Sequence, residues 1–281
     1  MANIAIVTDS TAYLPPDVTA NENITIVPLS VVFGNEAYEE EVELSTVEFY
    51  NKLKQSEDLP TTSQPALGKF VETYERLAQN HEAIITIHLA SGISGTYQTA
   101  LTAGEQVEGV EVYGFDSEIS CMPQGYFVIE AARMARDGET VDTILDRLKE
   151  MKKSMDAYFV VDNLNHLHRG GRLNGAQALI GSLLQIKPIL TFENQQIVPF
   201  EKVRTEKKAL NRVFELFDEA AKNDTPIRAT VIHANRRDKA EEIQQKLSEK
   251  YPNAVVDISC FGPVIGTHLG EGSLGVGWCK M

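Results

Sequence analysis

AIITIHLASGISGTYQTA, residues 83–100, is the stretch on which the reading of the fold turns. Ala83 to Leu89 is a short apolar, largely β-branched run, which suits a buried strand. Ser91-Gly92-Ile93-Ser94-Gly95-Thr96 is a turn of small and hydroxyl residues, and a helix-like stretch leaves it. Strand, polar turn and helix in that order make the repeating unit of a mostly parallel sheet covered on both sides.

The same unit recurs outward. Asn3 to Thr8, Ile24 to Val32 and Val110 to Phe115 are further strand-like runs. Ser45-Thr46-Val47-Glu48 has the form of a capping box, in which the hydroxyl and the glutamate each satisfy a free backbone N–H. Leu67, Phe70, Val71, Tyr74 and Leu77 share one helical face, as do Val141, Ile144, Leu145, Leu148 and Met151. After about Asp156 the rhythm changes. Tyr158 to Val161 is strand-like, and Gly170-Gly171 precedes a helical stretch from Gly175 to Gln185. Ile189 to Phe192 and Gln196 to Phe200 read as a hairpin around Glu193-Asn194-Gln195. Helices over Lys207–Ala221 and Asp238–Lys250 separate strands at Arg228–His233 and Ala254–Ile258. The expectation is an N-terminal α/β domain, residues 1–157, with a mostly parallel sheet flanked by helices, followed by a C-terminal α+β domain, residues 158–281.

Bulk properties narrow the function. A chain of 281 residues has room for substantial cores, and its formal charge of -14 opposes nucleic-acid binding, which needs a basic face. The start, MANIAIVTDS, reads as a strand and lacks the basic and apolar regions of a signal peptide. No run approaches the roughly 18 apolar residues of a membrane span. Cys121, Cys260 and Cys279 are odd in number and widely spaced, so neither a disulfide framework nor a zinc ribbon is expected. A cytoplasmic protein without membrane insertion is the resulting expectation.

Ligands of open α/β sheets sit where the carboxyl ends of strands meet the loops. Thr8-Asp9-Ser10-Thr11, Ser91 to Thr96 and Asp116-Ser117 occupy that edge, and Pro60-Thr61-Thr62-Ser63-Gln64-Pro65 adds three hydroxyls between stiffening prolines. Hydroxyls and free N–H groups cradle anions, and the absence of lysine and arginine from these turns favours a carboxylate over a polyphosphate. Ser94 could instead be a nucleophile, but Gly92-Ile93-Ser94-Gly95-Thr96 has only the first glycine of the hydrolase elbow. A structural helix cap is the third reading of Ser94. No phosphate-binding nucleotide loop or dinucleotide fingerprint is present. His166 and His168 could share a strand face as metal ligands, yet no cysteine or carboxylate cluster supports them, and no metal or cofactor is expected. The glycine-rich run Gly262 to Gly272 suggests a close-packed loop, with His268 in it as a hydrogen-bonding residue. Arg172 and Arg204 are candidate exposed contacts for a partner.

Taken together, Thr8-Asp9-Ser10, Pro60 to Pro65, Ser91 to Tyr97, Asp116-Ser117, Arg169-Gly170-Gly171-Arg172, Lys187-Pro188 and Gly266-Thr267-His268 resemble, in that order, the DegV family of bacterial fatty-acid-binding proteins. The resemblance spans essentially the whole chain. It implies a long-chain fatty acid buried between two domains, with its carboxylate held by the Thr62 and Ser94 hydroxyls and with Ser63, Gly95 and His268 beside it. It further implies no catalysis by the chain itself, and for some members a separate fatty acid kinase that phosphorylates the presented carboxylate. Arg172 and Arg204 would then lie near the carboxylate or contact that partner. Two stretches depart from the family pattern: Glu118 to Gly125, including Cys121 and Met122, where relatives are glycine-rich, and Leu269 with Glu271 in the late run. They bear on chain-length preference and on the choice of partner. The alternative from a different class is a serine hydrolase or acyl-transfer enzyme with Ser94 as nucleophile and His268 as base.

Overall fold

The computed structural model describes residues 3–56, 58–162, 164–173, 186–222 and 225–281. Strand β1 (Ile4–Asp9) is buried at every position and runs into a 3-10 turn at Ser10–Ala12. There follow α1 (Pro16–Asn21), β2 (Thr25–Val27), β3 (Ser30–Phe33), β4 (Glu36–Glu39), α2 (Thr46–Gln55), β5 (Thr61–Ser63) and α3 (Leu67–Ala78). The fully buried β6 (Ala83–His88) leads to α4 (Thr96–Gly104), then β7 (Glu111–Asp116), α5 (Met122–Arg136) and α6 (Val141–Lys152). Four of these strands form a parallel sheet in the order β2-β1-β6-β7. Phe70 and Tyr74 of α3, with Ala100 and Ala103 of α4, cover one side of it. Phe127 and Val128 of α5, with Ile144 and Leu148 of α6, cover the other. The Ser45–Glu48 capping box forms as expected at the start of α2.

The run Ile24–Val32 is not one strand. Pro28 supplies no N–H for a ladder and divides it, so β2 joins the parallel sheet while β3 turns into a small antiparallel sheet, β4-β3-β5. Through β5, that small sheet carries Thr61, Thr62 and Ser63.

The second half opens with β8 (Asp156–Val160) and α7 (Asn165–Arg169). The helix expected over Gly175–Gln185 lies outside the described residues. The expected hairpin is present as β9 (Ile189–Glu193) and β10 (Gln196–Glu201), followed by α8 (Glu206–Ala220), β11 (Ile227–His233), α9 (Arg237–Lys250), β12 (Ala254–Cys260), α10 (Pro263–Leu269) and β13 (Leu274–Lys280). Its sheet has the order β10-β9-β8-β13-β11-β12, with only β11 and β12 parallel among neighbours. The fold is thus α/β, a parallel sheet flanked by helices joined to a larger mixed sheet.

Two expectations from sequence are corrected, and one strand is added. The Gly262–Gly272 run is mostly helix, because Pro263 is pre-set for the first helical turn and every residue of α10 is buried by packing. His166 and His168 stand on the short helix α7, not on a strand, and among the described residues no group of three potential metal ligands occurs. Strand β13 had no sequence signal, since Gly275 and Gly277 interrupt its pattern, yet it occupies the centre of the mixed sheet.

One of those glycines, Gly277, is where the second half packs against α5. A Cβ at Gly277 would stand 2.5 Å from Pro123 Cγ at the start of α5, so only glycine admits the proline against the sheet. We expect Gly277→Ala to destabilise the fold by about 1–3 kcal/mol through overpacking, read as a lower urea midpoint; an unchanged midpoint would show that the contact yields freely.

Candidate functional site

Between the two larger sheets lies a cavity of about 270 Å³. Its apolar wall includes Leu89 from the end of β6, Phe159 of β8, Ile232 of β11, Phe261, and Val264 and Leu269 of α10, all buried members of one core cluster. Its polar lining includes Thr62, Ser63, Gln64, Ser94, Arg172 and His268, with Ser120, Cys121 and Tyr158 further along the wall. The first six are drawn from β5, the segment after it, the turn after β6, the segment after α7, and α10, and Thr62 meets His268 directly at 2.8 Å. Ser63, Gln64 and Gly95 are exposed, so this polar pole faces the surface while the rest runs inward.

Glycines let the segments approach. A Cβ at Gly95 would sit 2.2 Å from the Gln64 side chain, which crosses it to donate to Thr99 Oγ1 at 2.6 Å. At Gly92 the Cβ would lie 2.5 Å from the carbonyl oxygen of Gln195 in the β9–β10 turn, while Ser91 Oγ donates to Gln195 Oε1 at 2.9 Å. A Cβ at Gly170 would meet His268 Nδ1 at 2.3 Å. Gly92, Gly95 and Gly170 are therefore clearances for packing between segments, whereas Gly171 faces open space and takes a positive φ of 68°.

His268 Nε2 lies 2.8 Å from Thr62 Oγ1, whereas its Nδ1 is buried without a hydrogen-bond partner. A bare ring nitrogen without a partner costs less than an orphaned N–H, so the proton belongs on Nε2, donating to Thr62. The Thr62 hydroxyl hydrogen is then free to point into the cavity. Burial, then the charges of Arg172 and His166, lower the His268 pKa to about 4, keeping the ring neutral near pH 7.

Ser94 Oγ lies 2.8 Å from Thr96 Oγ1 and accepts the Thr96 N–H at 3.3 Å, closing the turn at the start of α4. The imidazole that the hydrolase reading would use as a base is bonded to Thr62 instead. Arg172, expected on the surface, is half-buried in the cavity wall, where it donates from Nε to Ile93 O at 3.1 Å and from Nη1 to Gly170 O at 2.6 Å. Its guanidinium thus clamps two motifs and leaves positive charge beside the polar pole. Arg204 is exposed between β10 and α8 and does not line the cavity.

Beneath the pole lies a network that motif reading did not assemble. Asp9, fully buried, accepts from Thr11 N–H, Thr11 Oγ1, Leu89 N–H and Gln124 Nε2, and stands 2.9 Å from His88 Nδ1. Burial pushes its pKa up, but these partners outweigh that and hold it below the usual carboxylate value. Glu40, 1 % exposed, accepts from Ser10 Oγ, from Tyr13 Oη at 2.7 Å and from the Val264 N–H at 2.7 Å. Burial raises its pKa to about 7 against the pull of those donors. Thr8-Asp9-Ser10 was the visible half of both networks; Glu40 carried no local signal. Cys121, at φ 63° in the left-handed region that favours glycine, lines the cavity as a protonated thiol, its pKa raised by burial.

The sign of one pH effect follows. His268 titrates lower in the fold than the ordinary 6.5, so its contribution to stability is complete above pH 6.5 and is lost as the pH falls toward 4. Comparing urea midpoints of wild type and His268→Gln across that window should give a difference that shrinks by up to about 3 kcal/mol on acidification; a difference independent of pH would contradict a neutral, buried His268.

The model of the DegV family, described as one of uncharacterised proteins, matches residues 3–281. A DegV domain-containing protein of Halalkalibacterium halodurans is 61% identical over 279 residues, covering 99% of both chains, and protein DegV of Bacillus subtilis is 53% identical over 278 residues with the same coverage. Among solved structures, that of DegV from Bacillus subtilis, a fatty acid binding protein, superposes with a TM-score of 0.96 at 52% identity and covers all of both chains. A fatty acid binding DegV family protein from Streptococcus agalactiae gives 0.92 at 34% identity, again over all of both chains.

Proposed function

The chain belongs to the DegV family, and from that premise we propose that it binds a long-chain fatty acid in the cavity between its sheets. The observation that carries the reading is the cavity's polarity: hydroxyls, an imidazole and a guanidinium at a surface-facing pole, aliphatic and aromatic side chains beyond it. The relatives from Bacillus subtilis and Streptococcus agalactiae, both fatty acid binding proteins, support it. Burying a methylene is worth roughly 0.8 kcal/mol, so about fourteen supply on the order of 11 kcal/mol before ordering costs, enough to dominate affinity.

The carboxylate accepts from Thr62, whose hydroxyl hydrogen is released for it by the Nε2–H of His268, and from Ser94, which turns its own hydrogen from Thr96 toward the anion. Arg172 supplies a favourable potential without a direct ion pair. Neutral donors grip a single charge firmly enough to orient it and loosely enough to leave it reactive. Domains 1–157 and 158–281 close over the tail. The headgroup, at the exposed pole, is presented end-on to a separate kinase that forms the acyl phosphate, with Arg172 beside the carboxylate and Arg204 as an outlying contact. In this reading Ser94 holds the ligand and does not attack it, and the chain works in the cytoplasm without catalysis of its own.

Denaturing extraction and mass spectrometry of the purified protein should yield a fatty acid; if none co-purifies and none added at micromolar concentration raises the melting temperature, the proposal fails. Replacing Thr62 and Ser94 together with alanine should weaken palmitate binding roughly a hundredfold or more, since each removes a hydrogen bond to a charged group worth about 1.5–3 kcal/mol. Binding and phosphate transfer unchanged in that variant would remove the anchoring role. Palmitate should also raise the His268 titration midpoint, seen by NMR, because an adjacent anion favours the charged ring; a midpoint that stays near 4 would place the carboxylate elsewhere.

A further inference from the structure

Helix α10 contributes Val264, Ile265, His268 and Leu269 to the cavity wall, yet no side chain of its own caps it. Its first free N–H groups are satisfied from the other half of the molecule. The Val264 N–H donates to Glu40 Oε1 at 2.7 Å, and the Ile265 N–H donates to Tyr13 Oη at 3.2 Å, which in turn donates to the same carboxylate oxygen. The second oxygen of Glu40 takes the Ser10 hydroxyl at 2.5 Å, and Ser10 Oγ accepts the Leu29 N–H at 3.0 Å. Every donor to Glu40 is uncharged. One helical turn after Val264, His268 faces Thr62.

Resting on the fatty-acid reading, we propose that Glu40 is a positioning residue for the headgroup site, a cap supplied in trans that fixes α10 and thereby sets the His268 imidazole against Thr62. The carboxylate does not touch the ligand. It acts through a helix whose other face forms the cavity wall, so its loss displaces the proton donor to Thr62 and loosens the lining at Val264 and Ile265 together. Glutamine reproduces the geometry. Its Oε1 keeps the Val264 and Tyr13 bonds and its Nε2 donates to Ser10 Oγ, displacing only the Ser10 hydroxyl hydrogen, whereas alanine leaves the Val264 N–H and the Tyr13 and Ser10 hydroxyls without their acceptor.

The test compares wild type, Glu40→Gln and Glu40→Ala by amide exchange at Val264 and Ile265 and by the NMR titration of His268, both without ligand, and by calorimetric affinity for palmitate. In Glu40→Ala, exchange at both amides should quicken and palmitate affinity fall, each about tenfold, as for a lost helix cap, while the His268 midpoint moves up toward its ordinary value. Glu40→Gln should match wild type in all three. A folded Glu40→Ala protein with wild-type exchange and His268 titration overturns the proposal, as does a Glu40→Gln protein as impaired as the alanine variant. If Glu40→Ala does not fold, Tyr13→Phe decides: quicker exchange at Ile265 with a shifted His268 supports it, and neither change overturns it. Should wild type fail to bind palmitate, the fatty-acid reading falls, while exchange and titration still decide whether Glu40 positions His268.

Discussion

Everything at the polar pole depends on a carboxylate that water never reaches. Asp9 has no solvent exposure, and an isolated charge there would be prohibitively costly. It is tolerated because the end of β6, the residue after it, the 3-10 turn and α5 all direct donors at it. The interaction works in both directions. The donors make the buried anion acceptable, and the anion fixes the elements that supply them. Leu89, whose N–H it takes, is the first residue beyond β6, so the turn that carries Ser94 starts from a pinned position.

Above that anchor the site is built by close approach. The Gln64 side chain crosses Gly95, the Gln195 carbonyl rests on Gly92, and His268 lies on Gly170. In each case a single added carbon would separate segments that the cavity needs together. Hydroxyl-rich turns alone would give polar edges on two separate halves. Clearance at the glycines brings those edges together at one cavity.

Local periodicity made much of this legible. The strand–turn–helix unit at Ala83–Ala100, the helical faces of α3 and α6, the capping box of α2 and the β9–β10 hairpin all follow from nearest-neighbour chemistry. The polar turns also announced themselves, and Thr62, Ser63, Ser94, Gly95 and His268 do gather at one cavity. What stayed hidden depends on partners distant in the chain. Gly275 and Gly277 read as strand breakers until Phe261 and Pro123 are seen against them. Glu40 looks like one acid in the acidic run Glu39-Glu40-Glu41; only the fold buries it beneath α10. Arg172 reads as surface because nothing adjacent shows that Ile93 and Gly170 will accept from it.

The placement of β13 bears on how the molecule is made. Strand β8 ends at Val160, but the neighbour that joins it to β11 begins only at Leu274. A ribosome therefore releases β8, β9, β10, β11 and β12 while the middle of their sheet is still missing, and long-range pairings of this kind close slowly. The parallel sheet needs nothing beyond Asp116 for its strands and can assemble early. During synthesis the nascent second half consequently exposes two unpaired strand edges, a hazard for aggregation that chaperones would shield until the last strand slides between them.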